Sequence, residues 1–353
     1  MNPSSRTPKH LRRRSSAWAA RCASSTLISF LTIAILALTS ACKGDEPAKE
    51  LVADESGKVA VTLQLNWVPE PEFGGFYAAA HTGLYERAGL DVKITAGAAG
   101  VQTWRMVATG KVPLAIASAG EVLRANLKDA ELVAVYSVYD KNPMALMVHE
   151  ETGVQSLEEI FTSGKIAKVA LEAELPFGRH LEQKYGFAKV QVLQHSHNLA
   201  LFLEDKTMAQ QCFIFSEPVS ARQNNVPVRA FSIGDSGFNP YQAVVIVRRD
   251  FLAKNRDVVE RFVRATRAGW RAYLQDPGPA NEYMRTQGAT MTLAAMKLAA
   301  DLQSPYITSA DTEAHGLGHM SRARWQTLAD QLKSLGSIDR TADVEAAFVH
   351  IAD

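Results

Sequence analysis

The chain has 353 residues, 47% of them hydrophobic and 21% charged, with 38 Lys+Arg against 37 Asp+Glu. That length exceeds what one hydrophobic core usually fills, so two lobes are expected, and the ordinary hydropathy excludes a disordered or fibrous chain. The near-neutral charge balance carries no basic footprint for nucleic acid.

The N-terminus departs from this average. Arg6, Lys9, Arg12, Arg13, Arg14 and Arg21 precede any acidic residue, and residues 26–38 (TLISFLTIAILAL) form an apolar run. The run is short for a membrane span and suits a signal-peptide core, so residues 1–41 are expected to be an export segment. Residues 12–14 lack the sequel of a twin-arginine signal, which points to ordinary secretion. Ser40 and Ala41 before Cys42 resemble the lipobox of bacterial lipoproteins, although Thr39 stands where leucine is usual. Cys42 is therefore expected to carry lipid and anchor the protein to a membrane, with plain signal cleavage or an uncleaved anchor as alternatives. Without residues 1–41 the chain keeps 32 Lys+Arg against 37 Asp+Glu, a mildly acidic surface. Cys22 leaves with the signal, so Cys212 in the apolar CFIF stretch stands alone as a buried thiol with no disulfide.

Residues 42–57 are polar with no apolar period and read as a flexible tether. Strands are then expected at 59–65, 90–96, 114–118 and 132–138, alternating with helices at 73–87, 102–109 and 121–127. This spacing implies parallel pairing through crossovers. A second series follows Pro143. Ser156 and Glu159 form a capping box for a short helix, ahead of strands at 167–171, 190–194 and 212–215 and helices at 177–185, 199–204 and 218–224. A strand at 243–247 and an amphipathic helix at 256–274 come next. The rest is helical, with breaks around Ser304-Pro305 and residues 316–318. Two α/β series and a helical tail predict two lobes around a cleft, against the alternative of one large doubly wound sheet.

The stretches LNWVPEPEFGGFYAAAHTGLYERAGLDVKI, MVATGKVPLAIAS, FSEPVSARQ and SGFNPYQAVVIVRRDFLAKNRDVVERFVRATRAGWRAYLQDP together resemble the NMT1/THI5-like group of type 2 periplasmic binding proteins. The resemblance implies an α/β, two-lobed type II fold with a ligand cleft between the lobes: residues 58–143 plus 239–353 as lobe I, and 144–238 as lobe II. It also implies an exported, monomeric receptor, periplasmic or on the cell surface, that binds a small heteroaromatic nutrient such as a thiamine pyrimidine precursor. Such a receptor delivers its ligand to an ABC permease and its ATPase. Related ligands, a riboflavin-related compound or an aromatic sulfonate, are the runner-up. Pyrimidine-synthesising enzymes similar to this chain use a lysine holding pyridoxal phosphate, a histidine and a cysteine cluster. Ala117, Glu121 and the residues from Phe238 to Gln242 stand at those places, so no catalytic residue and no cofactor is expected.

Ligand contacts are expected where strands end at the cleft. Trp67 supplies a stacking face and Asn66 a hydrogen-bonding amide. Phe76 and Tyr77 begin a helix; Tyr77 is taken as the cleft residue and the other as core. Ser118 and Tyr139 end strands, and residues 97–100 (GAAG) offer backbone N–H groups. From the second lobe come Glu172, Phe177 and Glu217, the last as a directional carboxylate acceptor. Glu217 also reads as a helix N-terminal acid favoured by the macrodipole. Asn239 and Tyr241 lie on a crossing segment. The pairs His195/His197 and His315/His319 lack a third ligand nearby, so no metal is expected. Arg179 is the main cation of these loops, which makes a purely anionic ligand less attractive than a flat heterocycle.

Overall fold

The computed structural model describes residues 48–352, so the export segment 1–41 and Cys42 lie outside the described residues. The first run gives β1 (Val59–Gln64), α1 (Gly74–His81), α2 (Leu84–Arg87), β2 (Leu90–Thr95), α3 (Thr103–Ala108), β3 (Leu114–Ala117), α4 (Ala119–Asn126) and β4 (Leu132–Tyr139). The second gives β5 (Met144–His149), α5 (Leu157–Thr162), β6 (Lys168–Ala170), α6 (Pro176–Tyr185), β7 (Gln191–Leu193), α7 (Ala200–Glu204), β8 (Met208–Phe213), α8 (Glu217–Gln223) and β9 (Val228–Ser232). The chain then returns through β10 (Gln242–Arg248), α9 (Arg249–Lys254), α10 (Arg256–Gln275), α11 (Gly278–Thr286), α12 (Leu293–Ile307), α13 (Ala310–His315) and α14 (Arg322–Ser334).

Among the described residues the strands form two five-stranded sheets, ordered β2-β1-β3-β10-β4 and β7-β6-β8-β5-β9. Each sheet with its helices makes one lobe. The expected parallel pairing holds for β1 with β2 and β3, and for β6 with β7 and β8. β10 instead runs antiparallel to β3 and β4, and β5, for which no strand was expected, runs antiparallel to β8 and β9. The reason is the crossing. A strand entered from the other lobe starts at the edge where the parallel strands end, so it must run away from that edge. The chain crosses between β4 and β5 and again between β9 and β10. Asn239 Oδ1 accepts from Asn142 N at 2.8 Å, and Arg324 binds Asp140 Oδ1 at 3.0 Å and Asn239 O at 2.8 Å, so both crossings are tied together.

Local departures have local causes. The helix expected over 73–87 is broken at Gly83, whose φ of 70° ends one turn before α2 starts. Pro305 does not break its helix but sits near the end of α12. β5 and β9 escaped prediction: every residue of β5 is buried, so it lacks the alternation of a half-exposed strand. β8 begins four residues before its expected start because Gln210 and Gln211, both buried, look unlike a strand core. The tether expected over 42–57 is a correction where it is described. Ala48 N donates to Asp250 Oδ2 and Leu51 N to Asn255 Oδ1, each at 2.7 Å, docking residues 48–51 on α9 and α10. Backbone groups make these bonds, so side-chain pattern gave no sign of them.

The core follows from these pairings. α1 packs on α10 through Phe76, Ala79, Phe262 and Trp270, all essentially unexposed. Edge strand β4 is covered by the C-terminal segment, where Ala134 N donates to Ala347 O and Val349 N to Ala134 O. No helix among the described residues is long and apolar enough to cross a membrane.

Candidate functional site

The loop after β1 is fixed by the loop after β2. Leu65 N donates to Thr95 O and Gly97 N to Trp67 O, at 2.9 and 2.8 Å. The buried Gln64 amide donates to Leu65 O and Ala96 O, both at 3.0 Å. Gly97 has no room for a side chain, because a Cβ there would lie 2.3 Å from Leu65 O. Of the GAAG loop, Gly97 therefore serves close backbone approach, and Ala98, Ala99 and Gly100 face the cleft.

These loops and the ends of β7 and β8 enclose a cavity of about 210 Å³ between the lobes. Asn66, Trp67, Glu70 and Glu72 line it from the first lobe; Glu172, His195, His197, Gln211, Ser216 and Glu217 line it from the second. A second chamber of about 250 Å³ adjoins it and shares Asn66, Met144, Glu172 and Gln242. Ser118, Phe177 and Leu328 line that chamber.

The acids are the dominant electrostatic feature. Burial pushes the Glu72 carboxyl well above the usual range, and the charges of Glu70 and Glu217 push it further. Glu70 is also raised by burial, against which the Ser216 hydroxyl and the Trp67 indole stabilise its charge. Burial raises Glu217 to about 7, although Phe213 N donates to its Oε2 at 2.7 Å. One of its two oxygens is thus engaged by backbone, and both expected readings, cleft carboxylate and helix-start acid, describe it. Glu172 is fixed by Gln211, which donates from Nε2 to Glu172 Oε2 at 2.8 Å and accepts from Glu172 N at 2.9 Å. Asn66 Oδ1 is buried without a hydrogen-bond partner among the described residues. Burial and then the charge of Glu217 raise the Cys212 thiol, so it stays neutral. The site offers stacking, hydrogen bonding and charge.

Four expected contacts lie elsewhere and are corrections of placement. Tyr77 is buried on α1 against Tyr283, ring centroids 6.2 Å apart, because its helix turns that face onto α11. Tyr139 is fully buried; its hydroxyl donates to Gln303 Oε1 at 2.9 Å while Gln303 Nε2 donates to Pro71 O, so it props the floor under Glu72. Tyr241 is buried under Arg324, and its hydroxyl accepts from Ser321 N. Asn239 is consumed by the crossing contacts described above. Ser118 does reach the second chamber, where its hydroxyl and Glu121 close a reciprocal cap on α4. Arg179 pairs with Glu174 outside both chambers, and Arg124 is the one Arg or Lys lining either chamber among the described residues.

Glu70, Glu72, His195, His197 and Gln211 line the first chamber and were not foreseen there. The signal was present for the first two: acids alternating with prolines directly after a strand-end tryptophan mark a turn whose carboxylates cannot all face solvent. Among the described residues no group of three or more His, Cys, Asp or Glu side chains is placed to hold a metal ion.

A curated relative, the riboflavin-binding protein RibY of Chloroflexus aurantiacus, is 24% identical over 350 residues, covering 91% of this chain and 95% of its own. The formylaminopyrimidine-binding protein of Halalkalibacterium halodurans is 31% identical over 108 residues, 31% of each chain. Among solved structures, the alkanesulfonate-binding protein SsuA of Xanthomonas axonopodis pv. citri superposes with a TM-score of 0.61 at 12% identity, covering 82% of this chain and 98% of its own. The two-lobed α/β architecture is therefore that of the periplasmic binding proteins. The profile described as NMT1/THI5 like matches residues 70–280, more than half of the sequence, and the chain belongs to the NMT1/THI5-like family.

Proposed function

We propose that the protein is the extracytoplasmic solute-binding component of an ABC importer, without catalytic activity, and that it binds a flat nitrogen heterocycle by closure of the two lobes. Residues 58–143 with 239–353 make lobe I and 144–238 lobe II. Cys42 carries the lipid anchor, and a permease with its ATPase receives the ligand. The observation that carries this reading is the cavity itself: an indole on one wall and carboxylates on both, at the strand ends of two lobes. Trp67 stacks on the ring, while Glu72 and Glu217 accept from its N–H groups. Closure is favoured by as much as the ligand bonds the closed state better than the open one. The names of the two relatives, one for riboflavin and one for formylaminopyrimidine, agree with a heterocycle.

The ligand is an aminopyrimidine in this reading, since the first chamber suits a single ring. Riboflavin is the second reading, favoured by the adjoining chamber, which could take a side chain. A sulfonate is disfavoured because, among the described residues, Arg124 is the one Arg or Lys lining either chamber, while five glutamates line them. Calorimetry with formylaminopyrimidine and riboflavin on wild type, Trp67→Ala and Glu217→Ala is the test. Losing the stack is expected to cost about 1–3 kcal/mol. Losing the carboxylate is expected to cost about 1.5–3 kcal/mol. Folded variants that bind as tightly as wild type would place recognition elsewhere, and native mass spectrometry of the purified protein would identify any retained ligand.

A further inference from the structure

We propose that His195 and His197, on the loop after β7, are ligand contacts, with His195 hydrogen-bonding the ligand edge opposite Asn66 and His197 closing over the ring held by Trp67. The inference rests on the heterocycle reading and adds residues and polarity to it.

His195 is buried to 6% exposure, lines the first chamber, and neither of its ring nitrogens completes a hydrogen bond among the described residues. Buried polar atoms are nearly always paired, so an unpaired imidazole at a cavity wall calls for a partner inside the cavity. Asn66 Oδ1 on the other lobe has the same deficit. The two walls differ in what they can do. Asn66 Oδ1 only accepts, whereas a neutral imidazole donates from one nitrogen and accepts at the other. Burial, and then the nearness of His197, holds the His195 pKa below its ordinary value, with Glu172 and the Gln211 backbone partly offsetting; the ring is neutral near pH 7. A ring that carries an N–H and an acceptor nitrogen or carbonyl on separate edges satisfies both walls at once.

His197 is exposed and held in the left-handed region at φ 56°, where a non-glycine residue is strained. Its ring lies 6.0 Å from the Trp67 indole across the cleft, inclined by 45°, and 4.7 Å from the His195 ring. Asn198 anchors the loop: its carbonyl accepts from Gln210 Nε2 at 3.1 Å and its side chain accepts from Ala200 N at 3.0 Å. The two imidazoles are thereby kept at the mouth and wall of one chamber.

The experiment is calorimetric titration of the full chain, purified in detergent, with formylaminopyrimidine and with riboflavin, for wild type, His195→Gln, His197→Ala and Trp67→Ala. Imidazole ¹⁵N spectra of the wild type with each probe accompany it, in case His195→Gln does not fold. The expected result is at least tenfold weaker binding in both histidine variants at an unchanged melting temperature of His197→Ala, and displaced His195 ring signals on binding. Histidine variants that bind like wild type while Trp67→Ala is weakened, with unmoved imidazole signals, overturn this inference and leave the heterocycle reading standing. A wild type that binds neither probe overturns the heterocycle reading, and this inference falls with it.

Discussion

Ser216, at the foot of α8, donates its hydroxyl to Glu70 Oε2 at 2.9 Å, and the bond spans the cleft from the second lobe to the first. It binds a carboxylate whose charge burial opposes, so its loss is felt in the closed arrangement only. Ser216→Ala is expected to cost about 1.5 kcal/mol of preference for closure, the low end for hydrogen bonds to charged groups because Glu70 is half-buried. The open population of the free protein then rises about tenfold. Distance measurements between spin labels on the two lobes, with and without the substitution, check this; identical distributions would show that the bond does not hold the lobes together.

The buried acids make stability depend on pH in a specific direction. Glu217 is raised in the folded protein from 4.5 to about 7, so between those values the folded state holds a proton that the unfolded state has released. Stability therefore falls as pH rises through that window, by about 3 kcal/mol from this group. Glu70 and Glu72 act in the same sense. His195, lowered by burial, acts oppositely below its unfolded pKa of 6.5 and offsets part of the fall. Denaturant titrations from pH 4.5 to 8 are expected to show the decline in the ligand-free protein and a shallower one in Glu217→Gln. A flat wild-type profile contradicts the assignment of buried, mutually repelling carboxyls.

Gly75 lies where α1 crosses α10. A Cβ there would fall 2.2 Å from the Trp270 ring, and one on Gly269 would fall 2.3 Å from the Gly75 carbonyl oxygen. Neither neighbour can retreat, since Trp270 is fully buried. Gly75→Ala is expected to destabilise by about 1–3 kcal/mol, the range for overpacking, with a correspondingly lower urea midpoint. An unchanged midpoint would mean the helices separate at no cost.

Lipidation of Cys42 is open to a direct test. With the basic segment, apolar run and Ser40-Ala41 ahead of it, Cys42→Ser is expected to move the protein from the membrane fraction to the soluble one and to remove the lipid mass. A variant that fractionates and weighs as wild type does, apart from the substitution, argues against the anchor.

Local chemistry in the sequence determined most of the elements and the strand-end position of Trp67. Alternation set β1 and β2, Gly110 ended α3, and the amphipathic period of α10 was legible over nearly its whole length, because each of these is decided within a few residues. The return of the chain to the first lobe was implied by the family resemblance and not by strand-helix alternation. What only the tertiary structure decided is where two distant stretches meet. That Tyr77, Tyr139 and Tyr241 turn inward depends on Tyr283 of α11, Gln303 and Arg324, which lie 83 to 206 residues away in sequence. That β5 and β10 run antiparallel depends on the edge from which the chain enters each sheet. The carboxylates of Glu70, Glu72 and Glu217 are harmless turn and helix-start residues until closure of the lobes buries them together. Desolvation and mutual repulsion arise from that proximity, and no local pattern encodes it.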